Sequence, residues 1–115
     1  TGLWPGLGTD AAARARTTTE AMTRPGRWRA FQRTVRGADH SLVAPWLAQV
    51  TAPSIVFMGE GDPDWKDPEA EARWIQQVLG SEVHMVPGAG HAPMLEAPDT
   101  VGPTVVDFVQ RNAHA

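Results

Sequence analysis

Apolar residues in the first fifty positions recur at helical spacing. Trp28, Phe31 and Val35 are three and four residues apart, which predicts an amphipathic helix. The preceding run AAARARTTTEAMT predicts another helix, and a third, short helix is expected after Ser41. The first half of the chain is therefore predicted to contain helices and loops.

The pattern changes in the second half. SIVFMG is a compact run of β-branched and aromatic residues closed by glycine, and EVHMV is a second short run of this kind. Both predict buried strands. Between them, Asp67 can cap a helix that begins at a proline, and Gly80 can end it in the left-handed conformation. The segment therefore predicts a strand, a helix and a second strand.

A final helix completes the predicted order of elements. We expect Asp99 to cap it and Pro103 to lie in its first turn, where a missing N–H removes no intrahelical bond. The long loop PGAGHAPMLEAP precedes this helix. Strands that alternate with helices are typical of an α/β protein with a parallel sheet, whose ligands bind at the carboxyl ends of the strands.

Composition limits the size and class of the protein. The 115 residues, 42% of them hydrophobic, suit one small globular domain. Seven arginines in residues 1–50 lie at helical spacings among alanine and threonine, with no exposed aromatic residues expected between them and no known nucleic-acid motif, which favours a solvated helix face over a nucleic-acid interface. The absence of cysteine excludes disulfides and thiol catalysis. Without an apolar run of membrane-spanning length, a soluble, cytoplasmic protein with no membrane partner is expected.

Two ionisable residues follow the predicted strands, Asp62 after the first and His91 after the second. Because successive parallel strands end at the same edge of a sheet, the two side chains are expected to meet. A carboxylate there can fix the imidazole tautomer, while the other ring nitrogen takes a proton from a nucleophile. A lone loop histidine is more often structural, so the nearby acid is what indicates catalysis.

The residues around this pair match a known pattern. PSIVFMGEGDPDW and the segment from VHMV to DFV resemble the C-terminal part of an α/β-hydrolase. The matching positions are Gly59, Asp62, Gly90, His91, Glu96 and Pro98. The resemblance implies Asp62 as the acid, His91 as the histidine and Glu96 as a loop-bracing carboxylate. It also implies a helical lid-like or cap-like segment over residues 1–50 and a core segment over residues 51–115.

One required part of such a hydrolase is missing from the sequence. The nucleophile elbow, usually G-x-S-x-G, comes before the acid in the chain, and no such pattern occurs here. Ser41 lies beside a predicted helix start and Ser54 opens the strand before the acid, so neither is in a strand-turn-helix elbow. Ser81 follows the acid in the chain. We therefore expect the C-terminal portion of a larger hydrolase that is inactive alone, with an N-terminal half or a second chain supplying the nucleophile and further strands. The sequence begins with Thr1, which suggests that upstream residues have been removed.

Two alternatives concern the acidic loop. Asp64 lies two residues beyond Asp62 and could take the role of the acid if the backbone turns differently. The acidic run over residues 60–67 also suggests a calcium site. If Glu60 is counted as the first position of an EF-hand loop, Glu71 falls at the twelfth. Trp65 then occupies the sixth position, where the sharp turn needs glycine, so no metal site or other cofactor is predicted.

Two classes of function remain. The resemblance implies a cofactor-free hydrolase acting on an ester or similar acyl substrate, with His91 as general base and acid and Asp62 orienting it. Whether its nucleophile is serine or aspartate is left open by these residues. The rival prediction is a half-domain without activity that serves as a binding or assembly module and retains His91 by inheritance.

Overall fold

The computed structural model describes residues 2–113 and contains six α-helices and two β-strands within that range. Two short 3-10 segments lie at Pro5–Leu7 and His40–Leu42. The remaining elements, in chain order, are α1 (Asp10–Thr23), α2 (Arg27–Gly37), α3 (Ala44–Leu47), β1 (Ile55–Gly59), α4 (Pro68–Leu79), β2 (Glu82–Val86), α5 (Pro93–Glu96) and α6 (Pro98–Asn112). The predicted helical first half and α/β second half are confirmed.

Helix α4 forms because its two ends carry suitable capping residues. The Asp67 carboxylate accepts a hydrogen bond from the backbone N–H of Ala70 at 2.8 Å, and Pro68 occupies the first turn. At the other end, Gly80 adopts φ +65° and its N–H donates to the carbonyl oxygen of Gln76. Both predicted caps are confirmed, and the helix forms the crossover between the two strands.

The start of α6 differs from the prediction. The helix begins at Pro98, with Ala97 at the N-cap, so Asp99 lies inside the first turn and does not cap it. Proline is favoured at the first helical position because its φ is already helical and its missing N–H has no partner there. As a result Pro103 lies in the second turn, where its ring removes a bond to the Asp99 carbonyl. The short helix α5 was also not predicted.

The two strands pair in parallel. Ile55 lies opposite Glu82, and the register runs to Gly59 opposite Val86. This pairing places both strand ends at one edge of the sheet, as expected for parallel strands joined by a crossover helix. Only two strands occur among residues 2–113, and the other edge of β1 has no strand beside it there.

The buried core is small and lies under the carboxyl end of the sheet. Val86, Ala89 and Val101 form its centre, with Phe57 and Ala97 packed against it. The apolar stripe of α2 is not buried, because Trp28, Phe31 and Val35 each expose about half of their surface. Part of the apolar surface that the sequence predicts to be internal therefore faces solvent in this chain.

Candidate active site

The loops that follow β1 and β2 are joined directly to each other. The N–H of Glu60 donates to the carbonyl oxygen of Val86 at 3.2 Å, and the N–H of Gly61 donates to that of Ala89 at 2.9 Å. These bonds continue the strand pairing for two residues beyond β1. They bring two loops side by side: residues 60–67, which follow β1 (the acid loop), and residues 87–92, which follow β2 (the histidine loop).

Gly59 allows this close approach. A Cβ atom at this position would overlap the carbonyl oxygens of Ala89 and Gly90. The backbone of the histidine loop therefore lies against the end of β1 at a distance that only glycine permits. This contact places Asp62, three residues further on, close to His91.

Asp62 and His91 meet as the sequence predicts. Oδ1 of Asp62 lies 3.3 Å from Nδ1 of His91, across a sequence separation of 29 residues. The same oxygen accepts the backbone N–H of Asp64 at 3.0 Å, and the Asp62 side chain is only 7% exposed. Because an ionised carboxylate can only accept, its contact with His91 requires the proton on Nδ1.

The imidazole of His91 is open on its other side. Its side chain is 49% exposed, and Nε2 has no hydrogen-bond partner within the described part of the chain. Such an arrangement can act as an acid–base pair, because Nε2 can take a proton while the carboxylate stabilises the resulting charge. Asp64 also approaches the ring, with Oδ2 3.2 Å from Nδ1. The second acid considered from sequence is therefore also present.

Glu96 braces the loop that carries His91. Its carboxylate oxygens accept the backbone N–H groups of Gly90 at 3.0 Å and Ala92 at 3.1 Å. Oε2 also accepts the N–H of Gly6 at 2.7 Å. Three N–H groups on one carboxylate form a charge-assisted network that fixes the loop on both sides of His91.

The N-terminal segment, residues 2–8, also contacts the histidine loop, which sequence reasoning missed. The N–H of His91 donates to the carbonyl oxygen of Leu3 at 2.8 Å. A Cβ at Gly90 would overlap this same carbonyl and Pro5. No local sequence pattern signals a contact between residues about ninety positions apart.

A cavity of about 580 Å³ adjoins the site between the acid loop and α1. Leu3, Trp4, Pro63 and Asp64 line one side of it, and small residues of α1 line the other. The cavity is wide open to solvent, and its walls are largely apolar.

The serines of the chain do not approach His91. The hydroxyl of Ser41 lies 2.6 Å from Asp39, and the hydroxyls of Ser54 and Ser81 lie 2.6 Å from each other at the amino end of the sheet. Asp62 and His91 lie at the opposite, carboxyl end of β1 and β2. Within residues 2–113, the acid and the histidine are therefore brought together without a serine nucleophile.

The acid loop and His91 also contain potential metal ligands. One nitrogen of His91 and one oxygen each of Asp62 and Asp64 lie within 4.8 Å of one another. A divalent cation could accept such a donor set. The separations of 3.2 and 3.3 Å between Nδ1 and the carboxylate oxygens are those of hydrogen-bonded or ion-paired groups, and this arrangement fits acid–base chemistry directly.

Together, the parallel strands, the carboxylate after β1 and the histidine after β2 define an α/β protein with an acid and a histidine in contact at the carboxyl end of its sheet. The sequence profile of the Alpha/beta hydrolase family matches residues 2–103. The chain therefore belongs to the alpha/beta hydrolase family, as its sequence resemblance indicates.

A solved structure supports the same assignment. The chain is similar to MGS-M2, an alpha/beta hydrolase enzyme from a Medee basin deep-sea metagenome library, with 29% sequence identity and a TM-score of 0.52. The similarity covers 59% of this chain and 24% of that chain, so the matched part spans about a quarter of the enzyme's length. Among curated proteins, none matches the sequence. No helix within residues 2–113 is long and apolar enough to span a membrane.

Proposed function

We propose that the chain is the acid-and-histidine part of a cofactor-free hydrolase that cleaves an ester or a similar acyl substrate. His91 is its general base and acid, and Asp62 orients the imidazole. The observation that carries this proposal is the contact of 3.3 Å between Asp62 and Nδ1 of His91, which leaves Nε2 open to a nucleophile.

The proposed chemistry follows from these two nitrogens. With a serine nucleophile, Nε2 removes the hydroxyl proton as the oxygen attacks the acyl carbon, and the protonated ring then donates that proton to the leaving group. Water hydrolyses the acyl-enzyme by the same route in reverse. With an aspartate nucleophile, Nε2 would instead activate the water that attacks the covalent intermediate. Asp62 stabilises the charged ring in both cases.

We propose that the nucleophile, the oxyanion donors and the remaining strands belong to polypeptide outside these 115 residues, either N-terminal to them or in a second chain. The sequence contains no elbow, and β1 has one unpaired edge among the described residues. The exposed surface of 8392 Å² exceeds the roughly 6,100 Å² expected for a compact monomer of this mass, by an area as large as a stable protein interface. Alone, the chain is expected to have no turnover.

Within that assembly, residues 1–50 would form part of a lid or cap and residues 51–115 part of the catalytic core. The cavity between α1 and the acid loop supports this division, because residues 1–50 supply most of its lining and the core part supplies Pro63 and Asp64. A small-molecule acyl substrate would bind there, beside His91.

The experiment is ester hydrolysis by the assembled hydrolase, with p-nitrophenyl acetate as the probe. His91→Ala is expected to lower kcat by about 10⁴-fold or more, the scale for loss of a triad member. His84→Ala is the matched control, because His84 lies in β2 and pairs with Glu82 at 2.7 Å, away from the carboxyl ends of the strands. Retained turnover in His91→Ala, with both variants folded, would show that His91 is not the base.

A second candidate function is a half-domain that binds a partner without catalysis. The exposed apolar stripe of α2 favours a partner, although the hydrolase proposal requires one too. The two candidates differ in what the assembled protein does. Assembly with no hydrolysis of any acyl ester, together with no effect of His91→Ala on binding, would favour the binding module.

A further inference from the structure

Two carboxylates, and not one, face the same nitrogen of His91. Oδ1 of Asp62 lies 3.3 Å from Nδ1, and Oδ2 of Asp64 lies 3.2 Å from it. A single N–H can be shared between two acceptors or can pass from one to the other. The distances alone therefore do not rank the two acids.

Their surroundings do rank them. The side chain of Asp62 is 7% exposed, whereas that of Asp64 is 54% exposed, so water screens the charge of Asp64 far more. Asp62 has a hydrogen bond of acceptable geometry to Nδ1. It is therefore the principal partner of the imidazole, and Asp64 makes the weaker contact.

A local turn explains why Asp64 lies beside the ring. The backbone N–H of Asp64 donates to Oδ1 of Asp62 at 3.0 Å, which closes an Asx turn over Pro63. This turn directs the chain so that both carboxylates approach His91 from the acid loop. The position of Asp64 is thus a consequence of the same residue that supplies the first acid.

Resting on the proposed function, we propose that Asp64 is a second positioning residue for His91. It shares the Nδ1–H of the neutral ring and the positive charge of the protonated ring. When Asp62 is removed, Asp64 accepts the full hydrogen bond and keeps the proton on Nδ1. The imidazole then retains the tautomer that leaves Nε2 free to act as a base.

The test is the tautomer of His91 in the 115-residue chain, determined by ¹H–¹⁵N correlation through the ring at a pH where the ring is neutral. The variants are Asp62→Ser, Asp64→Ala and the double variant, and His91→Gln assigns the signal among the four histidines. A serine hydroxyl can still accept the Asp64 N–H and so preserves the turn, but it is too short to replace the carboxylate. If Asp62→Ser does not fold, Asp62→Thr, whose hydroxyl can accept the same N–H, takes its place.

We expect the Nδ1–H form to predominate in the wild type and in both single variants, and to become the minor form in the double variant. Glu60→Ala combined with Asp62→Ser is the matched control. It removes a carboxylate of the same loop that has no ion pair within the described part of the chain, and it should keep the Nδ1–H form.

The other outcomes separate the two proposals. If Asp62→Ser alone loses the Nδ1–H form as fully as the double variant, Asp64 has no positioning role and Asp62 remains the sole acid. A double variant that keeps the Nδ1–H form overturns the role of Asp64 as well. If the wild type already has the proton on Nε2, the orienting role of Asp62 fails, and with it the catalytic assignment.

Discussion

Glu96 joins three backbone segments through one carboxylate. Its oxygens accept N–H groups from Gly6, Gly90 and Ala92, and hydrogen bonds to a charged group contribute more than neutral ones. Loss of this side chain would leave all three donors without their partner. The position of His91, between Gly90 and Ala92, depends on this carboxylate.

We therefore expect Glu96→Ala to lower the free energy of unfolding by roughly 2–4 kcal/mol in urea titrations, because several partly buried N–H groups lose a charged acceptor. Glu69→Ala serves as the control, since Glu69 forms an exposed pair with Arg73 and lies in the first turn of α4, and its loss should cost about 1 kcal/mol or less. Equal effects of the two substitutions would mean that Glu96 does not hold the loop.

Gly59 offers a second test at the scale of one residue. Gly59→Ala should destabilise the chain by about 1–3 kcal/mol or more, because the new Cβ meets backbone carbonyl oxygens of Ala89 and Gly90 that cannot rotate away. In Gly102→Ala, a Cβ would meet no atom within 4 Å on helix α6, and the helix should gain roughly 0.5–1 kcal/mol. In thermal melts, the unfolding midpoint should fall for Gly59→Ala and rise for Gly102→Ala.

The sequence predicts some contacts of the site and not others. The meeting of Asp62 with His91 follows from the rule that successive parallel strands end at one edge. The bonds of Leu3 and Gly6 to the histidine loop follow from no such rule, because the segment that carries them has no periodicity and lies about ninety residues away. Only the folded arrangement of the whole chain brings them together.

At the scale of the element, local capping chemistry decides which boundaries can be predicted. Asp67, Pro68 and Gly80 set both ends of α4, and each acts through atoms within four residues. Asp99 was predicted to cap α6, but Pro98 precedes it and already has the backbone geometry of a first helical residue, so the helix begins one residue earlier. Where two residues compete to begin a helix, the sequence alone does not rank them.

This difference can be measured. Asp67→Ala should cost about 1 kcal/mol, because the N–H of Ala70 loses its acceptor. Asp99→Ala should cost less, about 0.3–1 kcal/mol, since Asp99 interacts only with the helix dipole in the first turn. Chemical denaturation of the pair checks both values. A larger loss for Asp99→Ala would mean that it caps α6 in solution.

A surface ion pair connects β2 with α6. Hydrogen bonds from Arg111 and then from His84 hold the pKa of Glu82 below its usual value. A lowered pKa in the folded state stabilises the protein above the ordinary glutamate pKa of about 4.3, and this stabilisation is lost as the pH falls through the folded pKa.

The stability advantage of wild type over Glu82→Gln should therefore be present at neutral pH and disappear in acid. Unfolding curves measured across the acid range check this sign. Because the pair is exposed, added salt should also reduce the advantage at neutral pH. An advantage that grows as the pH falls would contradict the assignment.

The whole molecule is more extended than its length requires. Its radius of gyration is 16.6 Å, whereas a compact domain of this length has about 13 Å. The excess arises because few residues are fully buried and the helical first half leaves much of its apolar surface in solvent. The pattern of apolar residues predicted these helices, but periodicity does not state what will cover them.

Exposure should make the apolar stripe of α2 dispensable for folding. Phe31→Ser is expected to lower the free energy of unfolding by at most about 1 kcal/mol, because Phe31 is already 48% exposed and contacts Trp28. Phe57→Ser, at the core cluster, should cost roughly 3–5 kcal/mol.

Phe31→Ser also tests the need for a partner. If α2 packs on the rest of the hydrolase, Phe31→Ser should weaken assembly as measured by analytical ultracentrifugation while leaving the isolated chain folded. Unchanged assembly would show that α2 is not part of the interface.

The bonds between the N-terminal segment and the histidine loop have a consequence for the order of folding. The bond from Gly6 to Glu96 closes a loop of 90 residues, and loop closure of this length costs about 4 kcal/mol in chain entropy. Contacts within a helix or a hairpin close much shorter loops and lose less chain entropy. Contacts of such long sequence separation form slowly and after local structure. The loop that carries His91 is therefore expected to be among the last parts of the chain to become ordered, so a partly folded chain has its helices before His91 and Asp62 are held together.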